Sequence, residues 1–196
     1  MYYDIRNRFV AFAAIAIFLA FMPAARATDI VPGVEPAVVG NARVEVMFTP
    51  EQDATARIAA AIAGARRQVL MQAYSFTHDG IARALLEAHA RGVDVRLIAD
   101  REQTEKMARG QVPGLARAGL PVWLDGEHQG AHNKVMVVDA GTASALVVTG
   151  SFNFTRAAQH KNAENIVFIS GNEGLVRAYV RNWQNHIRHA KPLTIH

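Results

Sequence analysis

Within the 33 residues from Gln68 to Asp100 the chain writes a strand, a helix and a second strand with almost nothing between them. Residues 68–76 form a β-rich run, and Thr77-His78-Asp79-Gly80 turns into a helical stretch carrying Ile81, Leu85 and Leu86. Arg91-Gly92 closes that stretch, with glycine as the stop signal, and residues 93–100 are a second apolar strand. Links this short force a right-handed crossover and a parallel strand pair at the core. The remaining segments extend the same layout. Residues 44–48 alternate as a strand, and Pro50-Glu51-Gln52-Asp53 opens an alanine-rich helix with Thr49 as its expected N-cap. Residues 101–118 are helical but interrupted near Gly110 and Pro113, and 120–124 form a short strand. A hairpin over 132–149, a strand over 164–169 and an amphipathic helix over 175–189 follow, the helix turning Leu175, Val176, Tyr179, Val180, Trp183 and Ile187 to the core. The fold class is α/β: a three-layer α/β/α sandwich around a mixed, largely parallel sheet.

The chemistry concentrates in that hairpin. His132-Asn133-Lys134-Val135-Met136-Val137-Val138-Asp139 places an imidazole and an ammonium two residues apart, hence on one face of a strand. The next apolar run, 145–148, leads to Gly150-Ser151-Phe152-Asn153, which adds a hydroxyl, an amide and a loop whose backbone can approach an anion closely. A nucleophile, a fixed cation and neutral donors are what phosphoryl transfer requires. Asp139 lies seven residues from His132, roughly 20 Å along a strand, and on the opposite face by alternation. It is therefore expected to anchor the turn rather than take part in chemistry.

Several classes of protein are excluded. With no cysteine, the chain has neither disulfides nor a catalytic or metal-binding thiolate. Its formal charge of +4 includes a net +2 from Arg6, Arg8 and Arg26 against Asp4, so the remainder is only mildly basic. Residues 1–27 read as a signal peptide. Arg6 and Arg8 precede an uninterrupted apolar run of fourteen residues, Pro23 breaks it, and Ala25-Arg26-Ala27 gives the cleavage pattern. The run falls short of the roughly 20 residues a membrane span needs, which favours cleavage after Ala27 over a retained anchor. The expected organisation is signal peptide 1–27, extended leader 28–42 and a single domain over 43–190. The mature protein is then periplasmic or secreted, without stable membrane association.

The His-x-Lys-x4-Asp strand followed by Gly-Ser-x-Asn resembles the HKD signature of the phospholipase D superfamily, and more narrowly its small single-motif bacterial endonucleases. The likeness runs from about residue 44 to 188 and includes Gln72-Ala73-Tyr74-Ser75-Phe76-Thr77 and Lys161-Asn162-Ala163-Glu164-Asn165. The resemblance implies that His132 is the nucleophile forming a phosphohistidine. It also implies that Lys134 and Asn153 hold the non-bridging phosphate oxygens, that Ser151 joins the same cluster, and that Glu164 fixes the histidine tautomer. Gly150 and Asp139 are structural parts of the motif. Two-motif members of the superfamily supply two histidines per chain, one to attack and one to protonate the leaving oxygen. Here His189-Ala190-Lys191 is a half-match without the aspartate. A homodimer with one composite site is therefore expected.

The motif specifies a phosphodiester without specifying its alcohol. Nucleic acid, DNA with RNA as a further substrate, is favoured by likeness to the compact nucleases; a phospholipase D or cardiolipin-type lipid hydrolase is the alternative, and a catalytically silent nucleic-acid-binding dimer a third reading. Tyr74, Phe76, Arg101, Arg156 and Lys161, with Lys106 and Arg109, are candidate substrate contacts. No metal or other cofactor is expected. A metal hydrolase built on His128 and His132 with Glu127 or Asp125 is disfavoured, because these residues sit in a glycine-containing loop where helical ligand spacing does not apply.

Overall fold

The element order is β1 (Arg43–Thr49), α1 (Ala54–Ala63), β2 (Gln68–Ala73), α2 (Asp79–Ala90), β3 (Asp94–Asp100), α3 (Arg101–Lys106) and α4 (Val112–Arg117). Next come β4 (Val122–Asp125), β5 (Lys134–Val138), β6 (Leu146–Gly150), α5 (Arg156–His160), β7 (Glu164–Ser170), α6 (Glu173–Ile187) and β8 (Lys191–Pro192). This computed structural model describes residues 42–107 and 109–194. The chain divides into units Met1–Pro36 and Ala37–His196, and the described residues belong to the second. The expected signal peptide over 1–27, and the leader over 28–42 except for its last residue, lie outside the described residues.

The described strands form one sheet in the order β1-β7-β6-β5-β2-β3-β4-β8. It is mixed, as expected, but the balance of directions differs. Only β2–β3 and β3–β4 run parallel, while the other five pairings are antiparallel. The reason lies in the connections. Helical crossovers join β2 to β3 and β3 to β4, whereas β5 and β6 are joined by a short turn that can only reverse the chain.

Helices cover both faces. On one, Ile58 and Ile62 of α1, Ile81 and Leu85 of α2 and Ala158 of α5 pack with Met71, Leu97, Met136, Val148 and Phe168. On the other, Val176 and Trp183 of α6 lie over Leu70, Ile98, Val135, Val137 and Val147. Trp183 donates its indole N–H to the Met71 carbonyl at 3.2 Å, so its polar atom is satisfied within the core. Burying apolar side chains of this size contributes on the order of 2–3 kcal/mol each. Strand β5 is buried along its whole length because both faces are covered. On β1, by contrast, Val44, Val46 and Phe48 stay exposed, each roughly half accessible.

The N-cap of α1 is Asp53, whose carboxylate accepts from the Ala56 N–H, and not Thr49. Residues 50–52 form a turn before the helix starts, and Thr49, the last residue of β1, donates its hydroxyl to the Ala158 carbonyl at 2.7 Å instead.

Candidate active site

The end of β5 is tied down from two sides. The Tyr74 N–H donates to the Asn133 carbonyl at 3.0 Å, continuing the β2–β5 ladder and holding His132 at the sheet end. The N–H groups of Thr77 and His78 both donate to the Phe154 carbonyl, which draws the loop after β6 against the chain leaving β2. Gly150 completes the arrangement. Its φ is +148°, and a Cβ there would stand 2.4 Å from the Asn165 carbonyl oxygen, so only glycine lets β6 approach β7 this closely.

These constraints bring His132, Lys134, Ser151, Asn153 and Glu164 to one open cleft of about 320 Å³, shared with Asn133, Val135, Thr149 and Gly150. His132 is exposed, whereas Lys134 is buried. The ammonium stands 2.9 Å from His132 Nδ1 and 3.2 Å from Nε2, and donates to the His132 carbonyl at 2.9 Å. An ammonium can only donate, so it faces an imidazole lone pair. Tyr74 closes the back of the pair. Its ring centre is 4.2 Å from that of His132 and 4.8 Å from the Lys134 ammonium, and its hydroxyl accepts from Gln103 at 3.0 Å. Burial pushes the Lys134 ammonium below its ordinary value of 10.5, and the Glu164 carboxylate opposes that shift.

Glu164 is not bonded to His132 in the way the resemblance implies. Its carboxylate accepts from the Ser151 hydroxyl at 2.5 Å and from the Asn162 amide at 2.9 Å. Ser151 Oγ in turn accepts from the Asn165 N–H at 3.0 Å. The Ser151 proton is thus committed to Glu164, and Glu164 acts on the cleft through the charge of Lys134. Asn153 is different, because its Oδ1 is buried without a partner. Such an orphan costs on the order of 1–3 kcal/mol, and a half-turn of the amide exchanges donor and acceptor with little change of shape.

The expected substrate contacts separate. Phe76 is a core residue, only 2% accessible and packed against Phe154, so it touches no substrate. Its contact with Phe154 holds it inward, while half-buried Tyr74 packs against the His132 ring. Arg156 is engaged with Asp79 at 2.9 Å and Lys106 with Glu102. Arg101 packs against Gly126 and lines a separate cleft with Asp125 and His128. Arg109 and Lys161 are exposed. Asp139 lies at the far end of β5, where its carboxylate accepts from the N–H groups of Arg66, Arg67 and Gln68 at 2.8–3.1 Å. Burial alone would raise its pKa, but these N–H donors hold it below the ordinary 3.8. Asn162 and Asn165, not singled out from sequence, also join the network of Ser151 and Glu164, Asn162 donating to Glu164 from the bend before β7 and Asn165 to Ser151.

A family model described as a cardiolipin synthase, PLD-like domain matches residues 58–190. The chain is 40% identical over 147 residues to a phospholipase D of Rickettsia conorii, covering 75% of this chain and 70% of that protein. This chain belongs to the phospholipase D superfamily. As a member it is a phosphodiesterase. It is also 34% identical to a mitochondrial cardiolipin hydrolase of Xenopus laevis over 72% of this chain and 64% of the relative. Among solved structures it resembles Nuc from Salmonella typhimurium, a phospholipase D family member, with a TM-score of 0.72 and 34% identity over 79% of this chain and 99% of that one.

Proposed function

We propose that the protein is an exported, metal-independent endonuclease that hydrolyses DNA, and RNA as a further substrate, with little sequence preference. The observation that carries this reading is the character of the cleft. It is open, and the His132 imidazole, the Lys134 ammonium and the side chains of Asn133, Ser151 and Asn153 all reach it, so it offers a phosphodiester a nucleophile, a cation and donors without enclosing the rest of the substrate. The likeness of the motif to the single-motif bacterial endonucleases points the same way.

In the proposed reaction a His132 ring nitrogen attacks phosphorus and the bond to the leaving oxygen breaks, leaving a phosphohistidine. Lys134 and Asn153 carry the charge on the non-bridging oxygens. The leaving oxygen takes its proton from the equivalent histidine of a second copy. Water then attacks the phosphohistidine, passes its proton to that same second histidine, and releases the phosphate end. One motif per chain supplies one histidine, which is the argument for a homodimer. The exposed Val44, Val46 and Phe48 give one face of β1 the composition of a covered surface, and Phe48 stands in register with Asn165 beside Glu164. Export, with cleavage after Ala27, keeps such an enzyme away from the host genome.

The test uses the mature protein and its His132→Ala variant in EDTA, well below the melting transition, on plasmid DNA, RNA and vesicles of phosphatidylcholine and cardiolipin. Cleavage of nucleic acid by the wild type alone is expected. Lipid cleavage without nucleic-acid cleavage would establish instead the lipid reading that the names of the Rickettsia and Xenopus relatives favour.

A further inference from the structure

A second cluster of chemistry-bearing side chains lies outside the phosphodiester cleft. Asp125 ends β4, His128 stands in the loop that leads to His132, His186 sits in the last turn of α6, and His189 in the turn that follows it. Their spacing of three puts His186 and His189 on one side of the helix end. The β8 pairing of Lys191 with Leu124 then holds that end against β4. The Asp125 carboxylate is fully buried at the centre. Its Oδ2 is 2.6 Å from His186 Nδ1 and 3.1 Å from His189 Nε2, and its Oδ1 is 3.5 Å from His128 Nδ1. The three imidazole centres form a near-equilateral triangle with sides of 5.1, 5.3 and 5.3 Å. One ligating atom from each of the four residues can be chosen so that all lie within 4.8 Å of one another.

From this convergence we infer that Asp125, His128, His186 and His189 form a binding site for a late first-row divalent cation, zinc being the best match, with a structural role. Four N and O donors around zinc at about 2.0–2.1 Å stand roughly 3.3 Å apart, so movements of about 1 Å or less close this set on an ion. Three imidazoles and one carboxylate suit zinc, whereas calcium and magnesium prefer oxygen-only shells. Hydrogen bonding alone accounts for the cluster less well. His186 and His189 already satisfy Asp125 Oδ2, and the Glu127 N–H donates to Oδ1 at 3.1 Å, leaving His128 only a longer contact of 3.5 Å to the carboxylate. A cation gives each of the four a bond. The His128 side chain is half exposed and provides the way in. The other nitrogen of His186, Nε2, faces the Asn133 side-chain amide at 3.5 Å, the kind of outer partner that orients a ligating imidazole. Asn133 stands between His132 and Lys134, so the cation would fasten α6 and the loop before His132 to the strand that carries the reactive pair. By sequence spacing His128 pairs with His132, but the fold joins it to His186 and His189 at the end of the chain's last helix.

This inference stands apart from the phosphodiester reading and is tested without substrate. The purified mature protein is stripped with a chelator and titrated with zinc chloride, by calorimetry and by competition with a chromophoric chelator, and with cobalt(II) chloride by absorption spectroscopy. The expected results are one equivalent per chain, ligand-field bands of a four-coordinate cobalt site, and a melting transition raised by zinc. His128→Ala, on the exposed side of the cluster, should remain folded and bind zinc more than ~100-fold more weakly, beyond the usual cost of losing an outer partner. His132→Ala should bind zinc as the wild type does, whatever its effect on hydrolysis. Absence of stoichiometric uptake by the wild type would overturn the proposal and leave a hydrogen-bonded cluster only. So would uptake unchanged by His128→Ala. Neither criterion depends on whether a His186 variant folds.

Discussion

The two ends of β5 carry two parts of one sequence motif and are built on opposite principles. At the Asp139 end a buried carboxylate accepts from three consecutive backbone N–H groups and its pKa is lowered. At the other end a buried ammonium has its pKa lowered by loss of solvent, and the adjoining loop buries an amide oxygen that nothing pairs. Saturation at one end holds the strand in place. At the other end the Lys134 ammonium, bonded to the His132 ring and carbonyl, keeps a third donor for a phosphodiester anion, and the Asn153 amide offers its NH2 to the same anion after a half-turn. Stability is thus invested at Asp139, five residues along the chain from Lys134, where it is given up.

The largest effect expected from breaking this contrast is that of His132→Ala. Hydrolysis should fall by ~10^4-fold or more, as when other enzymes lose a nucleophile, while thermal melting stays close to wild type because the ring is exposed. Lys134→Met should lower kcat by about 10^2–10^3-fold, the cost of removing a charge-stabilising donor. Because burial already disfavours the ammonium, its melting temperature should be equal to or above that of wild type. A melting temperature well below wild type for Lys134→Met would remove the contrast. Asp139→Ala should do the reverse. Orphaning its N–H donors should cost on the order of 2–3 kcal/mol in chemical denaturation, with kcat per folded molecule within about two-fold of wild type.

The pH profiles should separate the ends as well. Activity requires the Lys134 ammonium, so the alkaline limb should fall below pH 10.5. Asp139 contributes stability that is fully present above its unfolded value of 3.8. Below that value the unfolded chain takes up the proton first, and the contribution is lost as pH falls through the lower folded value. Acid denaturation curves of wild type and Asp139→Asn should therefore converge in that range. The smallest effect belongs to Ser151→Ala, about ten-fold or less in kcat, since its hydroxyl is committed to Glu164. A loss as large as that of Lys134→Met would show that Ser151 meets the substrate directly.

Much of this was legible in the residues. Period-two alternation correctly removed Asp139 from the vicinity of His132, and the Gly150-Ser151-Phe152-Asn153 loop lines the same cleft as His132 and Lys134. Strand directions were less accessible: the crossover after β2 suggested a parallel sheet, but the reversals through β5, β6 and β7 outnumber it. Phe76 and Tyr74 are alike in sequence and differ in fate, because only the tertiary contact with Phe154 decides which ring is buried. The Asp125 cluster joins residues more than sixty positions apart, and its one local signal, His186 and His189 at helical spacing, acquires meaning only when α6 docks beside β4.

The central claim is that the under-satisfied end of β5 performs covalent phosphodiester chemistry through His132. It is tested most directly by quenching a single turnover of an oligonucleotide in base, digesting the protein and locating any phosphorus adduct by mass spectrometry. The expected result is an acid-labile, base-stable nucleotide adduct on His132, formed and lost at rates that account for turnover and absent from His132→Ala. Cleavage at full rate with no adduct on His132, or with the adduct on another residue, would contradict the account.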